Sequence, residues 1–143
     1  MHMATSKEMI TVHTTINAPV ETIWNYWNKP EHIVKWNFAS DTWCCPKAEN
    51  DLRLGGQFTY RMEAKDASMG FDFSATYDKI VPHEFISYTL EDGRKVTISF
   101  TVEEDTVLVK ESFEAEGTHT DEMQKAGWQA ILENFKTYVE TNS

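Results

Sequence analysis

The sequence predicts a single α+β domain: a curved antiparallel sheet of about six to seven strands wrapped on a long C-terminal helix, with two short helices after the first strand. Three observations lead there. From Asp41 to about Ala115 apolar and polar residues alternate, the period of a strand with one covered face. From about Thr120 to Thr141 the apolar residues recur at helical spacing instead. A short helical stripe separates the first strand from the alternating stretch. No repeat, low-complexity tract or linker divides the 143 residues, so 1–143 reads as one domain, with residues 1–7 expected to form a flexible tail.

The first strand is expected from Glu8 to Asn17, where Val12, Thr14 and Ile16 alternate with polar neighbours until Asn17-Ala18-Pro19 ends the run. Pro19 suits the first turn of a helix, where its missing N–H is no loss. Val20, Ile23, Trp24 and Trp27 then make a two-turn apolar stripe, and Pro30 to Trp36 a second short helix that carries Ile33 and Trp36 inward. Gly55-Gly56 breaks the chain ahead of a strand with Phe58, Tyr60 and Met62 on one face. Phe71, Phe73, Ala75 and Tyr77 share a face of the next strand, which Pro82 stops. Ile86, Tyr88 and Leu90 lead into Asp92-Gly93, a strong hairpin signal, and Val96, Ile98, Phe100 and Val102 follow it. After Glu103-Glu104-Asp105 the last strand runs from Val107 to Ala115.

The closing helix, capped by Thr118 or Thr120, would be about 33 Å long at ~1.5 Å per residue, enough to cross the sheet. Asp121 and Glu122 suit its positive first turn. Its apolar stripe is Trp128, Ile131, Leu132, Phe135 and Val139, with Trp128 expected to anchor it. Met123 and Gly127 fall toward the other edge and are expected to border a cavity.

Composition narrows function. A net charge of −10 repels phosphate backbones and anionic headgroups, which argues against nucleic-acid and membrane partners. The two cysteines, Cys44 and Cys45, are neighbours on a strand and cannot share a metal or an ordinary disulfide. Met1 to Lys7 lacks the apolar core of a signal peptide, so a reducing cytoplasm is expected. The five histidines show no metal spacing and read as surface residues. Gly55-Gly56 lacks the lysine of a phosphate loop, and no serine has an evident base. No metal, cofactor or catalytic residue is expected.

Two residues break the pattern. Glu111 shares strand parity with Val107, Val109 and Phe113, so it faces the covered side. There it either lies at a wet pocket mouth, or meets Tyr60, Tyr88 or Gln124, unless a bulge turns it to solvent. Gly127 lies inside a helix at a cost of about 1 kcal/mol against alanine. Close packing of helix on sheet, or room for a ligand, would account for it.

The segments Ile16-Asn17-Ala18-Pro19-Val20-Glu21-Thr22-Ile23-Trp24, Asp51-Leu52-Arg53-Leu54-Gly55-Gly56-Gln57-Phe58, Phe71-Asp72-Phe73 and Gly127-Trp128-Gln129-Ala130-Ile131-Leu132-Glu133-Asn134-Phe135 occur in this order. Together they resemble the START-like (SRPBCC) superfamily, and within it the single-domain bacterial relatives of the activator of heat-shock protein 90 ATPase. The resemblance covers nearly the whole chain and implies a helix-grip fold. Relatives bind lipids, steroids or polyketides, so the expectation is a binder of a hydrophobic small molecule (lipid, steroid, polyketide or aromatic metabolite) rather than an enzyme. The ligand would lie between sheet and C-terminal helix in an apolar cavity on the order of 300–1,000 Å³. Trp36, Tyr60, Phe73, Tyr88, Phe100, Met123 and Gly127 are its expected lining, with Glu111 as the polar group that orients the ligand. The alternative is a co-chaperone-like module that binds a protein, and a cyclase or hydrolase built on Glu111 with a tyrosine comes third.

Overall fold

The computed structural model describes residues 9–142; the expected tail, residues 1–7, and Glu8 lie outside the described residues. The chain runs β1 (Met9–Ile16), α1 (Val20–Asn28), α2 (Pro30–Trp36), β2 (Trp43–Asn50), β3 (Gln57–Ala64), β4 (Gly70–Val81), β5 (Phe85–Leu90), β6 (Lys95–Glu103), β7 (Thr106–Glu114) and α3 (Asp121–Asn142). The strands form one antiparallel sheet of seven, in the order β1-β7-β6-β5-β4-β3-β2. Strands β2 to β7 are thus a nearest-neighbour meander, and β1 closes onto β7. The sheet curls into a half-barrel whose concave face takes α3, the expected helix-grip arrangement.

Turn chemistry sets the hairpins. At the tip between β5 and β6, Gly93 has φ +90 and donates its N–H to the Leu90 carbonyl at 2.9 Å. Before β3, Gly56 lets the Asp51 carbonyl approach so closely that a Cβ there would collide with it. That loop is tied to β4 by Gly55 N–H to Tyr77 C=O and Tyr77 N–H to Gly56 C=O, at 3.0 and 2.9 Å. Pro46 lies on the edge strand β2 inside a register shift between Cys44 and Lys47, where a missing donor breaks no ladder.

The helices cap as their sequences dictate, with one shift. Pro30 takes the first-turn position in α2, but Pro19 stands one residue earlier than expected, as the extended residue that caps α1. Thr120 caps α3, its Oγ1 accepting the Met123 N–H at 3.1 Å. Leu132, Phe135 and Val139 of α3 are fully buried. Phe135 meets Trp27 and Trp36 edge to face, with ring centroids 5.0 and 4.7 Å apart, and so locks α1 and α2 to α3.

The C-terminal end of α3 has its own clamp. His32 stacks on Tyr26 at 4.1 Å, and its Nδ1 is 2.7 Å from the Tyr138 hydroxyl. Tyr26 donates to the Asn142 carbonyl at 2.9 Å. His32 is therefore half-buried between two helices and not a surface histidine. None of the described helices is long and apolar enough to cross a membrane.

Candidate functional site

Between the concave sheet and α3 lies a cavity of about 180 Å³. Phe58, Tyr60 and Met62 of β3, Phe71, Phe73 and Tyr77 of β4, and Ile86 and Tyr88 of β5 form its sheet side. Trp27, Trp36 and Asn37 close one end, Trp128 and Ile131 of α3 form the roof, and Glu111 of β7 completes the wall. The half-exposed Phe71, with the partly buried Phe73, Trp128 and Ile131, marks the mouth. Tyrosine and phenylalanine meet here because strand alternation turns every second residue inward and the meander places those positions side by side, while the three tryptophans come from α1, α2 and α3.

The volume is below the expected range. It is close to that of engineered apolar cavities of about 150 Å³, which admit one benzene ring. Ring packing accounts for the shortfall. Phe58 and Tyr60 stack at 4.3 Å, and Trp128 lies flat on Phe113 at 3.9 Å, so side chains occupy space that strand spacing alone would leave open.

Of the expected lining, Trp36, Tyr60, Phe73, Tyr88 and Glu111 come together around the cavity. Phe100 does not. It faces inward, but α1 covers that part of the sheet, and Trp24 and Trp27 meet its ring edge to face at 5.5 and 6.0 Å. Met123 is 60% exposed and, with Gly127, borders an open groove beside Arg94, Glu116 and His119 rather than the chamber. Trp128, expected as a pure anchor, is half-buried and roofs the cavity. Trp27, Asn37 and Ile131 were not among the expected lining, nor were Phe58, Met62, Phe71, Tyr77 and Ile86, although these five share the inward parity of Tyr60, Phe73 and Tyr88.

Gly127 packs against nothing, since a Cβ built on it meets no atom within 4 Å. Close packing of helix on sheet does not account for it, and the space beside it belongs to the open groove rather than to the chamber. Gly127→Ala should therefore raise stability by about 0.5–1 kcal/mol through helix propensity alone. A thermal melt checks this, and a lower melting temperature would mean that the groove is tighter than it looks.

Glu111 is the unusual group. The β7 ladder is unbroken on both sides, with Glu111 opposite Val12 of β1 and Ile98 of β6, so no bulge turns it outward. It is 6% exposed, and no hydrogen bond reaches its carboxyl from the described residues. The expected donors are committed elsewhere or stand off. Gln124 donates to the carbonyls of His119 and Glu116 at 2.8 and 3.3 Å. Tyr60 is hydrogen-bonded to Tyr77, which gives its own proton to Asn50 Oδ1 at 2.6 Å, so Tyr60 is the donor of the pair. Asn50 in turn donates to the Asn28 carbonyl at 2.7 Å, tying this polar chain to the end of α1. Tyr88 makes no hydrogen bond through its hydroxyl among the described residues.

Burial pushes the Glu111 carboxyl up to about 8 from its ordinary 4.5. The Tyr88 hydroxyl is held well above its usual range, first by burial and then by the Glu111 charge. Near neutral pH the site is therefore an aromatic chamber with one protonated carboxyl and one free phenol. Nearby, burial pushes the Cys45 thiol up to about 11, which makes it a poor nucleophile. Among the described residues no three His, Cys, Asp or Glu side chains converge as a metal site.

The sequence matches the family model of the Activator of Hsp90 ATPase homolog 1-like proteins over residues 17–140. No curated protein matches it. Solved structures do. An AHSA1-like protein from Aeromonas hydrophila is 41% identical with a TM-score of 0.88, over 94% of this chain and 93% of that one. A protein from Cytophaga hutchinsonii is 52% identical with a TM-score of 0.81, over 93% and 92%. A third, from Chromobacterium violaceum, is 25% identical with a TM-score of 0.83, over 93% and 98%.

Proposed function

The chain belongs to the family of Activator of Hsp90 ATPase homolog 1-like proteins, and from that premise we propose that it binds a small, largely apolar molecule in the cavity under α3. The observation that carries this is a ring-sized aromatic chamber into which an unpaired, buried carboxyl projects. A folded chain that served only to be stable would gain by filling that space and removing that unpaired polar group. The volume favours one ring or a short branched chain over a steroid or a whole lipid. The ligand's polar end would meet Glu111 and Tyr88. A reducing, cytoplasmic setting belongs to this reading, supported by two adjacent cysteines that cannot pair.

Trp27, Trp36 and Trp128 line the chamber, so tryptophan emission should report occupancy. Toluene and benzyl alcohol should give saturable emission changes. Ile131→Phe, which adds a ring at the half-exposed mouth, should weaken both by about tenfold or more. Unsaturable titrations, or unchanged affinities in that variant, would remove the basis of the proposal.

The family description favours a second reading, a module that docks on a chaperone. Of the large exposed apolar residues, Met9, Leu54 and Val102 lie on separate segments, while Phe71 and Met123 border one groove and Met69 precedes Phe71 by two residues, a smaller apolar surface than the cavity offers. Retention of a purified bacterial chaperone at low and at high salt tests it.

A further inference from the structure

The cavity's polar groups carry one sign only. Of the described residues that line it, none is lysine, arginine or histidine, and the one ionisable acid is Glu111. The groups that face it are few. Strands β3, β4 and β5 contribute the hydroxyls of Tyr60, Tyr77 and Tyr88, and α2 ends in the neutral amide of Asn37. The flanking strands present Val12 and Ile98, and α3 presents Trp128 and Ile131. A carboxylate ligand would find no counter-charge and would face an acid. A cation would find a carboxylate and the negative faces of several rings, three of them indoles, the strongest partners for a cation. The net charge of −10 raises the local concentration of cations as well.

Resting on the cavity reading, we propose that the ligand is an organic ammonium ion, a small amine whose apolar body fills the aromatic chamber and whose charged nitrogen pairs with Glu111. Binding then couples to a proton. In the empty cavity near pH 7 burial keeps Glu111 protonated, so the incoming ammonium displaces that proton to solvent and leaves an ion pair inside the chamber. Only the ionised fraction of the protein is competent, so affinity follows that fraction. It rises about tenfold per pH unit between roughly 6 and 8, levels off above, and falls again once the amine itself loses its proton near about 10.

Calorimetry with three matched probes, benzylamine, benzyl alcohol and benzoate, at pH values from about 6 to about 11 tests this on the full chain. The expected order at about pH 8 is benzylamine tightest and benzoate weakest, with the pH slope confined to benzylamine. Tetramethylammonium, which has no proton to lose, should show the rise without the upper fall. Repeating the titrations in two buffers of different ionisation enthalpy should show close to one proton released per benzylamine bound near pH 6. Glu111→Gln should abolish the slope and bring benzylamine down to the level of benzyl alcohol measured on the same variant, whose fold is certified by its circular dichroism spectrum. If benzyl alcohol or benzoate binds as tightly as benzylamine throughout, or if no proton is released, the ammonium assignment is wrong and the cavity reading stands. If none of the probes binds, both are wrong.

Discussion

The melting temperature should fall by roughly 10–15 °C between about pH 5 and pH 8, and Glu111→Gln should remove most of that fall. Glu111 has an ordinary value of 4.5 in the unfolded chain and about 8 when folded. Below 4.5 both states hold the proton and the residue adds no pH dependence. Between 4.5 and about 8 the unfolded chain releases the proton while the folded chain keeps it. Folding then binds a proton, and stability drops by about 1.4 kcal/mol per pH unit. Above about 8 both states are ionised and the loss, on the order of 5 kcal/mol, is complete. The lowered acids Glu116 and Asp66 act at the acid end, and Cys45 acts above its ordinary 9.0, so the intermediate window belongs to Glu111. General repulsion within a chain of net charge −10 acts on parent and variant alike, so their difference isolates the one carboxyl. Parallel melting curves against pH would show that Glu111 reaches water in the folded state.

Phe135→Ala should be the most damaging single truncation in α3, costing about 3–5 kcal/mol out of a typical total of about 5–15. The ring is fully buried and holds both Trp27 and Trp36 edge to face, so its removal opens a void where three helices meet. Trp128→Ala, on helix position alone the anchor, should cost less. Its half-exposed ring loses the stack on Phe113, worth about 0.5–1.5 kcal/mol beyond the buried area. That variant should instead enlarge the cavity and change probe affinity. Paired chemical denaturation curves decide the order, and a Trp128→Ala loss equal to that of Phe135→Ala would reverse the roles assigned here.

Much of this architecture is legible from periodicity, and the departures share a cause. Strand parity alone places Tyr60, Tyr88 and Glu111 on the inner face, because a residue's side of a sheet is a local property. What covers an inner position is not local. Phe100 has the same parity as its cavity-lining neighbours, yet α1 lies over it, and the crossing of α1 on the sheet depends on contacts between distant residues. Met123 lies on the chamber side by helical phase, yet it borders an open groove with Phe71 and Phe73, because phase does not tell how far along the helix the chamber extends. Cavity size was the least legible quantity, since it is a small difference between backbone spacing and the ring stacks of Phe58 on Tyr60 and Trp128 on Phe113.

The order of the sheet has a consequence in time. Strand β1 pairs only with β7, Met9 standing opposite Glu114, while every other strand meets its sequence neighbour. Its remaining tethers, Asn17 N–H to Glu140 and His13 C=O to Gln129, come from α3. A strand early in the sequence is therefore secured after the hairpins that follow it. Hairpins from β2 to β7 can close locally, but β1 waits for β7 and α3, because distant pairings pay loop-closure entropy before any contact rewards it. Until β1 docks, β7 is a bare edge open to other chains, and the long-range pairing is what ends that exposure.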